Sequence, residues 1–271
     1  MTETPSSLTY SSVVSRESVK IAFLLAALND LDVMACDIGN ACLNAPCREK
    51  IWFVAGPECG KYSGMVCKLT RALYGLKSSG AAWRAMFSTF IKTGLGFTPT
   101  RVDPDVYIRK NVKLNGNPYY EYLLVYVDDV LVISHAPEEI MKGIGKEFEI
   151  KNNEYGPPKI YLGAGISKYT LSSGKECWSM DSKQYIRAAV ETVQRLLEED
   201  GRELKTSKRT GGTHGALPVN YQPELDATAE CDAEHASRYR QIIGILRWAI
   251  ELGRFDILLE VSLMLQYQAN P

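Results

Sequence analysis

The chain has 271 residues, 45% of them hydrophobic and 23% charged, and its formal net charge is −1. This composition is typical of a globular protein with one large domain or two, and the near-zero net charge gives no general attraction to nucleic acid. No apolar run reaches the roughly 18–20 residues of a membrane span, and no C-x-x-C pair indicates a zinc site. The polar amino terminus carries no secretion signal, so the sequence predicts a cytoplasmic protein with reduced thiols.

The first part of the chain predicts a helix, a strand and a helical turn. Ser15 is a candidate cap for a helix that continues to residue 28. Apolar residues occupy almost every face of this helix, so we expect neighbouring elements to cover it on most sides. A short apolar strand at 31–38 follows, and Pro46 stops the helical turn after it.

The middle of the chain predicts a second helix and then antiparallel strands. Large apolar residues recur at helical spacing over 81–92, which indicates a helix with one buried face. The residues on that face are Trp83, Phe87, Phe90 and Ile91. Two strand segments, 103–110 and 119–135, flank the hairpin signal KLNGNP, and another helix is expected over 136–148.

The last part of the chain changes from strands to helices. Paired strands are expected at 159–170 and 176–180. From Asp181 onward the pattern is helical, with a polar loop at 201–217 and a long amphipathic stretch at 234–266. The sequence therefore predicts an α+β fold, β-rich to about residue 180 and helical beyond it.

Two adjacent carboxylates, Asp128 and Asp129, interrupt the most hydrophobic segment of the chain. Asp is common in turns, but two-residue hairpin turns favour Asn-Gly, Asp-Gly or a leading Gly, and this turn has no glycine. Two like charges beside buried strands repel each other unless a cation neutralises them. The pair therefore indicates either an unusual turn or a cation site.

A third carboxylate, Asp37, ends the predicted strand at 31–38. It either caps the helical turn that follows or joins the pair as a metal ligand. Mg²⁺ takes oxygen ligands and is usually held by a few carboxylates together with substrate phosphates. Two strand ends could hold two such ions about 3.5–4 Å apart. That arrangement is typical of phosphoryl or nucleotidyl transfer.

Several segments resemble reverse transcriptases. The sequence YVDD at 126–129 resembles their catalytic hairpin. CDIGNACLN at 36–44 and ALYGLKSSGAAW at 72–83 resemble motifs of the copia-type LTR retrotransposon polymerases. The segments that also fit this family, in the same order along the chain, are DPDVY at 103–107, IYLGAGI at 160–166 and the stretch at 239–257.

This resemblance implies the right-hand fold of a polymerase. Partial fingers and a palm with the catalytic carboxylates would occupy 1–180, and a helical thumb or connection region would occupy 181–271. The implied activity is RNA-directed DNA polymerisation by two-metal nucleotidyl transfer onto a primer 3′-hydroxyl. The implied partners are an RNA template, a DNA primer, dNTPs and the rest of a Pol polyprotein with its integrase and ribonuclease H. The implied location is cytoplasmic, in a virus-like particle and without a membrane.

The resemblance also implies roles for individual residues. The residues that would perform catalysis and bind Mg²⁺, or Mn²⁺ in its place, are Asp37, Asp128 and Asp129. Those that would contact the incoming nucleotide are Cys42, Gly75, Lys77 and Ser79. Those that would contact the primer or template are Tyr126, Val127, Leu162 and Gly163. Lys151 is the candidate general acid that protonates the leaving group, with Lys146 and Lys159 as neighbouring alternatives.

Three features depart from the family pattern. Cys42 stands where the family has Phe or Tyr, whose ring blocks the 2′-hydroxyl of a ribonucleotide. Gly80 replaces the usual Pro, which we expect to loosen the loop beside the nucleotide. The chain begins downstream of a Lys/Arg-rich fingers segment, so we expect a truncated protein that lacks charged contacts worth roughly 1.5–3 kcal/mol each. Two interpretations therefore stay open: a polymerase module, or a non-catalytic retroelement remnant that at most binds nucleic acid.

Cys42→Tyr should increase discrimination against ribonucleotides in a chain that polymerises, because an aromatic ring fills space that the thiol leaves open. A pocket change of this size alters selectivity by roughly tenfold or more. Competing incorporation of dNTPs and rNTPs by the wild type and the variant measures the ratio. Unchanged selectivity would place Cys42 away from the sugar of the nucleotide.

Overall fold

The computed structural model describes residues 9–203, 222, 225 and 229–271. These residues form two compact units that divide between Pro158 and Lys159. Both units combine helices with antiparallel sheets, which confirms the predicted mixed fold class. Most of the predicted polar loop at 201–217 lies outside the described residues. No helix within the described ranges is long and apolar enough to cross a membrane.

The first unit contains twelve helices and strands, with a short 3₁₀ helix, Pro57–Tyr62, between β2 and β3. In chain order they are α1 (Arg16–Leu28), β1 (Asp32–Ile38), α2 (Ala41–Asn44), β2 (Trp52–Val54), β3 (Val66–Lys68), α3 (Ser79–Thr93), β4 (Thr98–Pro99), β5 (Val106–Val112), β6 (Pro118–Tyr126), β7 (Asp129–Ser134), α4 (Pro137–Glu147) and β8 (Ile150–Gly156).

Helix α1 begins where the sequence predicts it. Ser15 caps the helix, and its hydroxyl accepts a hydrogen bond from the backbone N–H of Ser18 at 3.1 Å. The expected cover on most sides is wrong, because one face of α1 is exposed. The exposed apolar side chains are Ile21, Leu24 and Leu28. Helix α1 therefore buries one stripe and leaves another open, as amphipathic helices do.

The main sheet of the first unit has six antiparallel strands in the order β4-β5-β6-β7-β1-β8. Strands β5, β6 and β7 follow one another as hairpins, whereas β1 comes from far earlier in the chain and inserts between β7 and β8. This insertion brings the predicted Asp37 strand beside the predicted Asp128–Asp129 hairpin.

The core of this unit lies between the sheet and helices α3 and α4. Val130 and Val132 of β7 face this core, whereas the alternate residues Leu131 and Ile133 are buried on the other face of the sheet. Helix α1 contacts β1 and β7. The apolar run in β7 is therefore continuous because both faces of the strand are covered.

The DPDVY segment ties the start of α1 to the sheet. The carboxylate of Asp103 accepts hydrogen bonds from the backbone N–H of Ser15 at 2.9 Å and from the hydroxyl of Ser18 at 2.7 Å. Buried Asp105 accepts a hydrogen bond from Nε of Arg84 in α3 at 2.7 Å. This family-like segment thus joins two helices to the edge of β5.

Among its described residues, the second unit has a small sheet and three α-helices. Its elements are β9 (Ile160–Tyr161), β10 (Ala164–Thr170), β11 (Glu176–Asp181), α5 (Lys183–Glu199), α6 (Ala233–Glu251), a 3₁₀ turn (Phe255–Ile257) and α7 (Leu258–Leu265). The predicted helical stretch at 234–266 is interrupted because Gly253 has φ +108°, which an α-helix does not accept. The unit boundary at 158/159 places β9–β11 with these helices, and the functional division into 1–180 and 181–271 stays a prediction.

A partly buried ion pair stabilises the β5–β6 hairpin. The carboxylate of Glu121 is 1% exposed and accepts hydrogen bonds from Nε of Arg109 at 2.6 Å and from the hydroxyl of Ser134 at 2.7 Å. Burial alone would raise the pKa of Glu121, but these hydrogen bonds and the charge of Arg109 outweigh burial and lower the pKa below its usual value. The ionised carboxylate therefore favours the folded state.

Glu121→Gln should lower the free energy of unfolding at pH 7 by about 2–3 kcal/mol, because Arg109 loses its buried partner. Since folding lowers the pKa of Glu121, its contribution is complete above the unfolded-state pKa. The difference between the two proteins should shrink as the pH falls through the lower folded-state pKa. Urea denaturation across pH 3–7 measures this, with Glu154→Gln at an exposed position of β8 as the control. A constant difference across that range would contradict the assignment.

Candidate active site

The three predicted aspartates meet at one end of the main sheet. Asp37 of β1 lies directly opposite Asp129 of β7 in the antiparallel register, so their side chains project from the same face. The backbone N–H of Ile38 donates to the carbonyl of Asp128 at 2.9 Å, which holds the turn against the end of β1. Strand pairing therefore brings Asp37, Asp128 and Asp129 together from positions about 90 residues apart in the chain.

The turn itself consists of Val127 and Asp128, because Tyr126 pairs with Asp129 across it. The two aspartates therefore do not share the tip: Asp129 is already the first residue of β7. Val127 has φ +57°, in the left-handed region. Positive φ at the first central residue is the pattern of a type II′ turn, where glycine is preferred. A β-branched residue there costs on the order of 1–3 kcal/mol and persists only where its surroundings impose it.

A residue that the sequence indicates only as part of the core reaches this turn. Trp83 of α3 is 1% exposed, and its Nε1 donates a hydrogen bond to the carbonyl oxygen of Val127 at 2.8 Å. Its place on the apolar face of α3 is predictable from helical spacing, but the direction of its N–H is not. The carbonyl oxygens of both turn residues thus accept hydrogen bonds, Val127 from Trp83 and Asp128 from Ile38.

The carboxylates form a negative cluster that is only partly compensated. Burial, followed by the charges of Asp128 and Asp37, raises the pKa of Asp129 to about 6. Burial also raises the pKa of Asp128, and the charge of Asp37 adds to this. The pKa of the neighbouring Cys36 thiol rises to about 12, through burial first and then through Asp37 and Asp129. The cluster therefore favours a positively charged group.

Lys151 supplies one positive charge to this cluster. Its Nζ lies 2.8 Å from Oδ2 of Asp37, and this hydrogen bond and charge raise the pKa of the exposed lysine. The contact depends on a bulge, because Cys36 pairs with Tyr155 and Ile38 with Ile150, so that β8 has three more residues than β1 in this interval. Bulges commonly redirect a side chain beside an active site. Asn152 and Asn153 form it with φ +57° and +53°, values that Asn tolerates better than most residues.

The donor chemistry fits Mg²⁺. Three carboxylates and one ammonium leave a formal charge of −2 when all are ionised, and the carboxylate oxygens are hard ligands. In the described part of the chain, no group of three or more His, Cys, Asp and Glu side chains is arranged to hold a metal ion by itself. Mg²⁺ in nucleotide-processing sites is usually held by one or two carboxylates with substrate phosphates, so a complete protein cage is not required.

Cys42 lies beside these carboxylates. It is 4% exposed in α2, and its thiol pKa is raised by burial and then by the charge of Asp128. Tyr74, which the sequence does not single out, also lies in this region. Burial raises its pKa, followed by the charges of Asp128 and Cys42. The backbone N–H of Ala72 donates to the carbonyl of Ala45 at 3.0 Å, which attaches the loop before Tyr74 to the end of α2.

The loop at 73–79 presents some predicted nucleotide contacts and buries another. Gly75 and Lys77 are exposed, and a Cβ atom added at Gly75 would meet nothing within 4 Å. Ser79 is buried, and its hydroxyl donates to the carbonyl of Leu73 at 2.6 Å. The Ser79 hydroxyl therefore joins the two ends of the loop, whereas Gly75 and Lys77 are exposed to solvent.

The expectation that Gly80 loosens this loop is wrong. It lies in the first turn of α3, where the helical backbone rather than the loop determines its conformation. A Cβ atom at this position would lie 3.4 Å from Cβ of Ser11, an ordinary van der Waals contact. The first turn of a helix also accepts Pro, because its N–H groups have no intrahelical partner.

Tyr126 and Val127 lie at the carboxylate turn, whereas Leu162 and Gly163 lie in the second unit. The latter two form the two-residue turn between β9 and β10, with φ +48° and +81°. Positive φ at both central residues is the pattern of a type I′ turn. A Cβ atom at Gly163 would lie 3.3 Å from Nε1 of Trp248, so glycine suits this approach to α6.

The fold and the carboxylate cluster agree with the family to which the sequence is similar. Residues 5–194 match the profile of the family described as reverse transcriptase (RNA-dependent DNA polymerase). The match covers more than half of the 271 residues, and the chain therefore belongs to this family.

Similar curated proteins are polyproteins of transposons. The retrovirus-related Pol polyproteins from transposon TNT 1-94 of Nicotiana tabacum and transposon RE1 of Arabidopsis thaliana are 29% and 23% identical over 97% of the chain. The transposon Ty1-DR5 Gag-Pol polyprotein of Saccharomyces cerevisiae is 21% identical over 96% of it. The chain spans only 19%, 16% and 14% of these proteins, respectively. These similarities confirm the predicted copia-type reverse transcriptase region.

Gly80→Ala should raise the free energy of unfolding by about 0.5–1 kcal/mol, because alanine favours the helical backbone and its Cβ finds room. Gly75→Ala is the matched comparison. Gly75 has φ +92°, so alanine there should lower stability by about 1–2 kcal/mol. Urea denaturation midpoints measure both variants. Equal effects at the two positions would contradict their assignment to a helix and a left-handed loop.

Proposed function

We propose that this chain is the RNA-directed DNA polymerase module of a copia-type retrotransposon. The observation that carries the proposal is the meeting of Asp37, Asp128 and Asp129 at the paired ends of β1 and β7, within a chain of the reverse transcriptase family. In this proposal the main sheet serves as a polymerase palm and the helices of the second unit as a thumb or connection region. The reaction joins a dNTP to the 3′-hydroxyl of a DNA primer on an RNA template.

Asp37 and Asp128 hold the catalytic metal ions in this proposal, and Asp129 adjusts the charge of the site. The raised pKa values of Asp128 and Asp129 support it, because a negative cluster without sufficient compensation favours cations. When bound, Mg²⁺ or Mn²⁺ supplies Lewis-acid stabilisation of the attacking and leaving oxygens. The carboxylates orient the reacting groups because they fix the positions of the bound cations.

Lys151 acts as the general acid. The primer oxygen forms a bond to the α-phosphorus, the bond from this phosphorus to the bridging oxygen breaks, and pyrophosphate leaves. The hydroxyl proton passes to solvent, and the Lys151 ammonium can give a proton to pyrophosphate. Its position 2.8 Å from Asp37 and its exposure support this role, because a proton donor must reach the leaving group.

The remaining predicted residues form the substrate contacts of this proposal. The nucleotide contacts are Cys42, Gly75, Lys77 and Ser79, with Ser79 acting through the loop that it closes. The primer and template contacts are Tyr126, Val127, Leu162 and Gly163. Partial exposure of Tyr126 and Val127 beside Asp128 supports a primer end at this turn. As a region of a Pol polyprotein, the module would work with integrase and ribonuclease H in a cytoplasmic virus-like particle.

A non-catalytic retroelement remnant is the alternative. Cys42 at the position of the family aromatic residue favours this alternative. Such a protein would fold and at most bind nucleic acid.

Asp128→Asn should reduce primer extension on an RNA template with Mg²⁺ by at least about 100-fold. Loss of a residue that hydrogen-bonds a metal ligand typically lowers metal affinity or activity by about 10–100-fold. Loss of a ligand itself should lower activity at least as much. Asp30→Asn is the matched control, because Asp30 is exposed and its φ of +49° suits Asn equally well. Incorporation of labelled dNTP by the wild type, but not by Asp128→Asn, supports the proposal. A folded wild type that extends no primer favours the remnant.

A further inference from the structure

The turn that carries Asp128 has an unfavourable backbone and an unusual support. Val127 has φ +57° although it is β-branched, and its side chain is 36% exposed. Burial of this side chain in the core therefore does not account for the conformation. The two carbonyl oxygens of the turn accept hydrogen bonds from different directions: Val127 from Nε1 of Trp83 at 2.8 Å, and Asp128 from the backbone N–H of Ile38 at 2.9 Å.

Trp83 is itself rigidly held. Its ring stacks on Phe87 with 4.9 Å between centroids and 13° between planes, and it meets the edge of Phe148 at 5.4 Å and 89°. These ring contacts on α3 and at the end of α4 set the direction of the indole N–H independently of the turn. A rigid donor therefore selects those turn conformations that point the Val127 carbonyl toward it.

We propose that Trp83 is a positioning residue, whose indole N–H holds the strained Val127–Asp128 turn in the conformation that places the Asp128 carboxylate beside Asp37 and Asp129. This inference rests on the proposed polymerase function for its catalytic consequence, and on the turn geometry alone for its structural part. Trp83 touches neither the primer nor the nucleotide in this assignment.

The alternative that Trp83 only fills the core has a different consequence. A core residue needs volume and ring contacts, whereas the inferred role needs the N–H. Without this donor, a Val127 residue is free to relax toward negative φ, which turns the peptide after it and redirects Asp128. Glycine at position 127 takes positive φ without strain, so the turn would then keep its shape without the indole. The effect of removing the donor should therefore depend on the residue at 127.

The test is a double-mutant cycle between the donor and the strained residue. Site-specific incorporation of benzothienylalanine at position 83 keeps the ring size and replaces N–H by sulfur. In the Val127 background this replacement should lower the equilibrium constant for folding about fivefold and lower kcat for primer extension about tenfold, with the KM for dNTP changed less than twofold. In the Val127→Gly background both losses from the replacement should fall below twofold.

Phe90→Leu is the control for core packing on the same helix. Phe90 meets Phe148 at 5.1 Å and makes no hydrogen bond to the turn, so its replacement should lower stability equally in both backgrounds and leave kcat per folded molecule unchanged. Equal effects of benzothienylalanine in both backgrounds would overturn the inference. Folding that is lost with Val127 but retained with Val127→Gly would support it, and folding lost in both would overturn it.

The two measurements separate this inference from the proposed function. The stability cycle needs no substrate, so coupling between Trp83 and Val127 can be found in a wild type that extends no primer. In that case the proposed function fails and the support of the turn by Trp83 stands. If the wild type is active but neither measurement shows coupling, the proposed function stands. Trp83 then does not position Asp128.

Discussion

The antiparallel pairing of β1 with β7 is the constraint on which the candidate site depends. It joins two segments that are distant in sequence and sets Asp37 directly opposite Asp129. Burial of Val33 and Ile38 in β1 and of the apolar run in β7 specifies this register, because both faces of these strands are covered. A slip of one residue would move every side chain to the other face and separate the carboxylates. The chemistry of the site is thus held in place by ordinary strand packing.

Residues with positive φ lie next to Asp128 and next to Lys151 in the chain. Val127 lies in the turn before Asp129, and Asn152 and Asn153 lie in the bulge after Lys151, all with positive φ. Such conformations persist where a packed environment determines them, and they concentrate at functional sites. For Val127 that environment includes Trp83 of α3, which itself packs against Phe148 at the end of α4. The same core that stabilises the first unit therefore also fixes the positions of its reactive groups.

Charge balance connects the fold to the proposed chemistry. Three carboxylates at one strand end destabilise one another, and Lys151 compensates only part of this repulsion. A cation bound there would remove the remainder, so cation binding would stabilise this end of the sheet. Buried Glu121, by contrast, is compensated by Arg109 of β5 and by the hydroxyl of Ser134 in β7. The two sites show how neighbouring groups lower the pKa of one carboxylate and raise the pKa of another.

Much of this organisation is predictable from local sequence. Ser15 as a helix cap, the apolar face of α3, the hairpin strands and the YVDD identity all depend on contacts within a few residues or on a recognisable motif. Local sequence did not predict the boundary between the two units or the exposed face of α1, because both depend on which distant segments pack together. It also did not place Gly80 inside α3. The break at Gly253 is visible as a glycine in the sequence, but helical periodicity on both sides conceals it.

The sequence by itself determined the family and the three carboxylates, because residue identity and spacing carry that information. It left Lys151 as one of three candidate lysines. Only the tertiary structure decided that Asp129 begins β7 rather than sharing the tip, that a bulge brings Lys151 to Asp37, and that the Trp83 N–H meets the Val127 carbonyl. Each of these depends on backbone dihedral angles and on the register between strands. Those quantities arise when distant segments pack together, and no local pattern of residue types specifies them.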